Sequence, residues 1–433
     1  MRKSMGGVAL AAVAMLGLAA CGSSEGQSSG GSGADLSGQT LEVSAVWSGD
    51  EQAAFEEVLA VFEEQTGAEV KYTSAGDDLP TVLQTKVDGQ TPPNVAFLPQ
   101  PGLIAQFAGQ GSLKPLSDEV RALVDENFVD LWQDIGSHDG TAYGVYFKAA
   151  NKSTFWYNTE LFDEAGVTPP ETMADLRDTA QVLADNGITP LSVGGADGWV
   201  LTDWFENIYL RTAGAEMYDR LSRHEIPWTD PSVAEALTVM RELFTEEFLS
   251  GGVSGTLQTE FPGSVENVFG DDPRAAMVYE GDFVAGVITS STSTELGVGA
   301  DFFPFPEIDG SGPGAIVGGD VAVAFTDDPA TEELMRFLAS PEAAEAWAAQ
   351  GGFVSANKAV SLDVYPDELS RNMASQLLEA GENVRFDLSD LAPTTFGATK
   401  GVGMWKDFQD FVADTEDIQG AMNRLEADAV KAF

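Results

Sequence analysis

Residues 141–162, TAYGVYFKAANKSTFWYNTELF, constrain the fold more than any other stretch. Two apolar, aromatic-rich runs, 143–147 and 155–157, flank a polar break at 148–153. Continuous apolar runs with aromatic and β-branched residues suit strands buried on both faces. A short polar break between two such strands suits a chain that leaves one sheet and enters another. The pattern predicts a crossover between two lobes, with a cleft beside it.

The flanking sequence fits that reading. Residues 41–47 read as a strand leading into Ser48-Gly49-Asp50-Glu51. A helix follows, with Phe55, Val58, Leu59 and Phe62 on one face and Gly67 stopping it. Residues 70–73 are a second strand, 79–87 a helix and 94–98 a third strand, before Pro99-Gln100-Pro101-Gly102 turns into another helix. Such alternation indicates an α/β sheet covered by helices. Ligands on these sheets sit at the carboxyl ends of strands, here 47–51 and 98–101. Beyond the crossover the chain is mostly helical, at 173–186, 201–212 and 231–248, with strand-like pieces at 191–193, 276–279 and 297–303. Residues 315–325, AIVGGDVAVAF, repeat the apolar–polar–apolar pattern and predict a second crossover, back to the first lobe. A third crossing near 360–366 is expected to send 367–433 to the second lobe.

The amino terminus reads as an export signal. Arg2 and Lys3 precede a short apolar run at 8–20, which lacks the length of a membrane span. Leu18-Ala19-Ala20-Cys21 resembles a bacterial lipoprotein box, which implies cleavage before Cys21 and lipidation of its thiol. Cys21 is the only cysteine, so it has no disulfide partner. In residues 22–38, 12 of 17 are Gly or Ser, the composition of a flexible tether. No later segment is a candidate membrane span. The expected location is the extracytoplasmic face of a membrane, held only through the lipid on Cys21. A formal charge of −47 excludes a general nucleic-acid binder and disfavours anionic lipid surfaces.

Several segments, in order, resemble one family. They are WSGDEQAAFEEVLAVFEEQTG, PPNVAFLPQPGLIAQFAGQGSLKPL, TFWYNTELFDEAGVTPPETMADL, GWVLTDWFENIYL, AAMVYEGDF and IVGGDVAVAF. Together they are similar to the extracellular solute-binding proteins of ABC importers, in the carbohydrate-binding family that includes maltose-binding proteins, nearest its α-glucoside-type branch. The resemblance implies an α/β, two-lobed periplasmic-binding-protein-like fold of type II, with a multi-strand hinge. Residues 39–150 plus 321–365 would form the amino-terminal lobe, and 151–320 plus 366–433 the carboxy-terminal lobe. It also implies a monomer that closes on a sugar or oligosaccharide in the interlobe cleft and delivers it to permease subunits.

A sugar offers C–H ring faces and rims of hydroxyls, so its site needs aromatic planes and fixed polar groups. Of eight tryptophans, Trp199 and Trp204 flank Asp203 at a helix start after Gly198, and Trp405 follows a Gly-rich stretch. Trp405 matches the late aromatic residue with which the family stacks on sugar. These three are candidate stacking residues, with core packing as the alternative. Trp132, Trp156, Trp228 and Trp347 lie on apolar patterns and read as core, whereas Trp47 fits either role. Ser48, Asp50 and Glu51 are candidate contacts that on local grounds also suit helix capping. Gln100 ends a strand at the same sheet edge. Lys148 and Asn151 line the first crossover, and Gly319-Asp320 the second. Glu280-Gly281-Asp282-Phe283 follows a strand and resembles the family's contact turn, where glycine lets backbone approach a ligand.

Other functions leave weaker traces. A glycosidase needs two carboxylates flanking the scissile bond, but carboxylates are abundant here for charge reasons. No HExxH, GxSxG, Walker loop or CxxC is present, and His138 and His224, the only histidines, are isolated. The expectation is no enzyme, no metal and no cofactor. A sensory lipoprotein would carry the same fold. The chief ligand alternative is an amine-bearing or cationic solute, because Asp50, Glu51, Asp203, Glu280 and Asp320 together would suit a positive charge.

Overall fold

A computed structural model of the protein describes residues 34–312, 314–379 and 384–433. Cys21, the export signal and most of the Gly/Ser segment lie outside the described residues. The last part of that segment is tied to the body. Leu36 is buried, and its amide donates to the Thr66 carbonyl at 2.8 Å.

In chain order, β1 (Thr40–Ala45), β2 (Glu69–Ser74), β3 (Val95–Leu98) and β4 (Gly144–Asn151) precede the first crossing. Then come β5 (Thr154–Asn158), β6 (Leu191–Ser192), β7 (Met277–Glu280) and β8 (Ala300–Pro304), followed by β9 (Ala315–Ala324), β10 (Val354–Ser355) and β11 (Val384–Phe386). Among the described residues they make two large sheets. The first runs β10-β4-β9-β3-β1-β2, with β11 beside β9, and the second runs β8-β5-β7-β6. β1, β2 and β3 are parallel, whereas β9 lies antiparallel between β3 and β4. No helix of the described residues is long and apolar enough to cross a membrane.

The first crossing falls where the sequence places it. All eight residues of β4 are buried in the first sheet, and β5 begins in the second only three residues after β4 ends. Between them, Lys152 donates its amide to the Ile316 carbonyl at 2.9 Å, and the Ser153 hydroxyl accepts from the Ile316 amide at 2.8 Å. The second expected crossover lies elsewhere. The whole of 315–324 is one strand of the first sheet, so the chain returns between Pro304 and Ala315. The polar Gly319-Asp320 pair instead marks a register shift between Asp320 and Val321 opposite β4. The third crossing comes later than 360–366. β11 still pairs with β9, so the chain leaves the first sheet only after Phe386. The physical reason is edge pairing: Val384, Arg385 and Phe386 complete the edge of β9 opposite β4, which β3 leaves free at residues 315–317.

Eight helices matter for the site: α1 (Gly49–Thr66), α2 (Pro101–Gly109), α3 (Trp199–Ala213), α4 (Val284–Ser291), α5 (Pro341–Ala348), α6 (Glu368–Glu379), α7 (Leu388–Leu391) and α8 (Gly403–Ala413). α1 buries Phe55, Val58, Leu59 and Phe62 and ends at Gly67, whose φ of 74° is the left-handed conformation that glycine adopts without strain. α3 is buried on nearly every face, because the second sheet, α8 and the helix at Pro231–Leu243 surround it. Each lobe has an aromatic core. Trp47, Phe55, Phe97, Phe147 and Trp347 interlock in the first, and Phe155, Trp204, Tyr279, Phe303 and Phe305 in the second. Among the described residues, contacts between the lobes include α1 against α4, α2 against α7 and α3 against β9.

Candidate functional site

The site is built on the strand ends and crossings where the two lobes meet. In the first lobe, β1 runs into Trp47, which packs edge-on against Trp347 of α5 with centroids 4.9 Å apart. Its indole Nε1 donates to Asp320 of β9 at 3.1 Å. Lys148 of β4 pairs with Asp320 in the strand register and forms an ion pair with Glu51 in the first turn of α1. The Lys148 ammonium also lies 5.9 and 5.4 Å from the ring centroids of Trp47 and Trp347, within cation–π range. Burial works against its charged form, but Glu51 and Asp320 outweigh burial and raise its pKa. Asp282 approaches from the second lobe. Its amide donates to the Asn151 carbonyl at 3.1 Å, and its buried carboxyl faces Lys148. Burial raises the Asp282 carboxyl to about 7 and Asp320 to about 6, against the pull of Lys148 in each case.

A second ionic group surrounds Lys152. Its ammonium lies 3.2 Å from Asp203 of α3, 2.5 Å from Asp387, 3.8 Å from Asp390 of α7, and 5.6 Å from the centroid of Trp199. Behind it, Glu206 accepts from the Leu388 and Ser389 amides at 2.7 and 2.9 Å and from the Tyr218 hydroxyl at 2.9 Å. The start of α7 is therefore fastened to α3. Asp203, Glu206 and Asp387 bring carboxylate oxygens within 4.8 Å of one another, close enough to share a metal ion. Two features give them another role. Lys152 supplies the positive charge, and both Glu206 oxygens already hold backbone amides. Burial raises Asp203, Glu206 and Asp390 well above the ordinary carboxylate range and Glu280 to about 8. Asp387 alone is lowered, because Lys152 and hydrogen bonds from Asp203 and Ser389 overcome its burial. Asp387 is therefore the acid whose charged form Lys152 favours most, while burial opposes the charge on its neighbours.

The aromatic part of the wall comes from the second lobe. Trp199 and Phe283 are half-buried, with ring centroids 6.0 Å apart, and Phe261 packs against both. Gly198, at φ 77°, starts α3 with Trp405 directly behind it; a β-carbon there would lie 2.6 Å from the Trp405 Cβ. Only glycine meets both demands, so this turn sets the position of Trp199 beside Trp405.

Most of the residues singled out from sequence fall into these groups. Glu51, Lys148 and Asp320 form the first; Asp203, Glu280, Trp199, Phe283 and Trp405 border the second. Gln100 is buried beside Asp390, with which it shares a hydrogen bond. Ser48 and Asp50 are exposed at the start of α1, and Ser48 makes no capping hydrogen bond with its side chain. Asn151 turns away from Lys148, its Nδ2 donating to Gln376 of α6 at 3.2 Å.

Trp204 is the correction. Its exposure is 0%, and it packs on Phe155, Tyr279 and Phe244 with centroids 5.3, 4.7 and 5.2 Å away. Five residues along a helix is about 140° of rotation from Trp199, so the second tryptophan faces the sheet. Trp132, Trp156, Trp228 and Trp347 are buried, as their apolar patterns indicate.

Sequence reading missed Lys152, Glu206, Asp387 and Asp390, and named Asp282 only as part of the contact turn. Lys152 carried a signal, since a charge between two fully buried strands must be paired. Asp387 and Asp390, in FDLSDL, carried none.

Comparison with known proteins agrees with this architecture. The family described as bacterial extracellular solute-binding protein matches residues 47–345. The osmoprotective compounds-binding protein GgtB of Synechocystis sp. is 35% identical over 393 residues, covering 89% of this chain and 91% of its own. The alpha-glucosides-binding periplasmic protein AglE of Rhizobium meliloti is 36% identical over 396 residues, covering 88% and 85%. Among solved structures, the bacterial solute receptor AcbH superimposes with a TM-score of 0.78 at 20% identity, over 91% of this chain and 99% of that one. That likeness is one of fold: an α/β architecture of two lobes. With this arrangement of sheets and the family matched across most of its length, the chain belongs to the bacterial extracellular solute-binding proteins.

Proposed function

We propose that the protein captures a neutral sugar or oligosaccharide of α-glucoside kind between its lobes and hands it to the permease subunits of an ABC importer. One observation carries the reading. Half-buried aromatic faces, Trp199 and Phe283, stand beside a dense set of carboxyl groups at the lobe junction. That pairing suits a ligand with C–H ring faces and hydroxyl rims. The names of AglE and GgtB support it, since one binds alpha-glucosides and the other osmoprotective compounds.

Ligand contact with both lobes would favour the state in which they meet, through its greater affinity for that state. Asp282 and Lys148, which face each other from different lobes, would then report closure. The protein works as a binder outside the cytoplasm, as a monomer tethered by lipid on Cys21, and carries out no reaction on its ligand.

Calorimetric titration of the soluble body, residues 36–433, with maltose, sucrose, trehalose and raffinose tests the ligand class. Saturable binding of at least one sugar, weakened in Trp199→Ala, is the expected result. Binding of choline or putrescine but of none of the sugars would sink the proposal. The tether is tested separately, since a Cys21→Ser variant is expected in the medium and should keep its ligand affinity.

A further inference from the structure

We propose that Lys152 is a specificity-determining residue, whose ammonium group fills an aromatic–carboxylate cage that would otherwise take an organic amine. The proposal deepens the sugar-capture reading and rests on it for the ligand that remains.

The cage has the chemistry that holds ammonium ions. Asp203, Asp387 and Asp390 surround the Lys152 Nζ at 3.2, 2.5 and 3.8 Å, and the Trp199 ring lies 5.6 Å away on another side. Carboxylates close to an aromatic face stabilise a cation by charge and by the ring quadrupole together. Counted alone, these acids would make the site a receptor for cationic solutes.

The chain supplies its own cation instead, and holds it rigidly. The Lys152 carbonyl accepts from the Asn207 Nδ2 and the Tyr279 hydroxyl, both at 2.8 Å, while its amide donates to Ile316. The residue is therefore clamped at the crossing between the lobes, and its side chain enters the cage from a fixed point. A tethered ammonium acts at a high effective concentration, which a free amine must displace. The side chain is 12% exposed, so the filled cage lies at the edge of accessible space. What remains for a ligand is the half-buried faces of Trp199 and Phe283 and the polar rim, which suit a neutral polyhydroxylated molecule.

A chemical-rescue experiment tests this. Lys152→Ala removes three carbons and the ammonium, the size of n-propylammonium. In the soluble body carrying that change, n-propylammonium chloride is expected to raise the thermal midpoint by several degrees. Equal 1-propanol should not, and neither should shift the wild type. If the variant does not fold alone, the same two additives are compared by the yield of folded protein on refolding. Equal rescue by 1-propanol would overturn the proposal, because the slot would then be apolar. An equal shift of the wild type by propylammonium, or no rescue by it, would overturn it too. Sugar titration of the wild type is independent. Rescue without sugar binding would remove the sugar reading and leave the cage intact.

Discussion

Lys148 and Lys152 stand four residues apart on one crossing, each beneath several carboxylates and an aromatic face, yet they are built differently. Lys148 pairs with Glu51, whose side chain is 36% exposed, and with Asp282 from the other lobe. Lys152 pairs with Asp203 and Asp387, whose side chains are both 0% exposed. Water reaches the Glu51 carboxylate of the first pair but neither the Asp203 nor the Asp387 carboxylate of the second. Under the proposed closure, opening would part Lys148 from Asp282, whereas the contacts of Lys152 with Asp203 and Asp387 lie at the crossing itself.

The largest expected effect lies at the buried pair. Lys152→Met should lower the stability of the folded protein by about 3–5 kcal/mol, because it leaves buried carboxylates without a cation. Lys148→Met should cost less, about 1.5–3 kcal/mol, as expected for hydrogen bonds to a charged group. Urea denaturation of both variants measures this, and equal losses would break the contrast.

A parallel contrast runs along α3. Trp204→Ala should cost about 3–5 kcal/mol of stability through the cavity it leaves. Trp199→Ala should leave the fold near its native stability and weaken ligand binding by about 2–4 kcal/mol as a central stacking residue. Denaturation and titration of the pair decide the assignment; loss of affinity in both without loss of stability in Trp204→Ala would reverse it.

The pH dependence separates the two lysines again. Asp320 and Asp282, at about 6 and 7, hold protons in the folded state at pH values where the unfolded chain has lost them. Stability should therefore fall as pH rises from about 4 towards 7, by up to about 1.4 kcal/mol per pH unit for each proton so held. Asp387, lowered by Lys152, acts oppositely: its contribution is present above the ordinary carboxylate range and is lost only in stronger acid. Asp282→Asn should flatten the slope between pH 5 and 7, and an unchanged slope would remove Asp282 from the protonated set. The smallest effect, about 1 kcal/mol, is expected at Glu51→Gln, because that side chain is 36% exposed and stays in contact with water. A denaturation midpoint shifted further would show that Glu51 is closed off from water.

The fold was legible wherever local patterning carried it. The buried runs around residue 148, the strand–helix alternation before them and the glycine stop at Gly67 all act over a few residues. The crossings at 304–315 and after Phe386 were misplaced for a common reason. β9 and β11 are held by edge pairing with strands far away in sequence, which leaves no local mark. Trp204 was misplaced because both tryptophans of GWVLTDWFE have the same composition around them, and only the sheet beneath α3 separates core from wall.

By itself the sequence determined that two lobes would be joined by a buried crossing and that aromatic and carboxyl groups would gather beside it. Apolar periodicity and chain connectivity are properties of neighbouring residues. Only the tertiary structure decided which acids meet which lysine. Asp203 and Asp387 reach Lys152 from 51 and 235 residues away. Their ionisation is set by burial, which exists only once the lobes have packed.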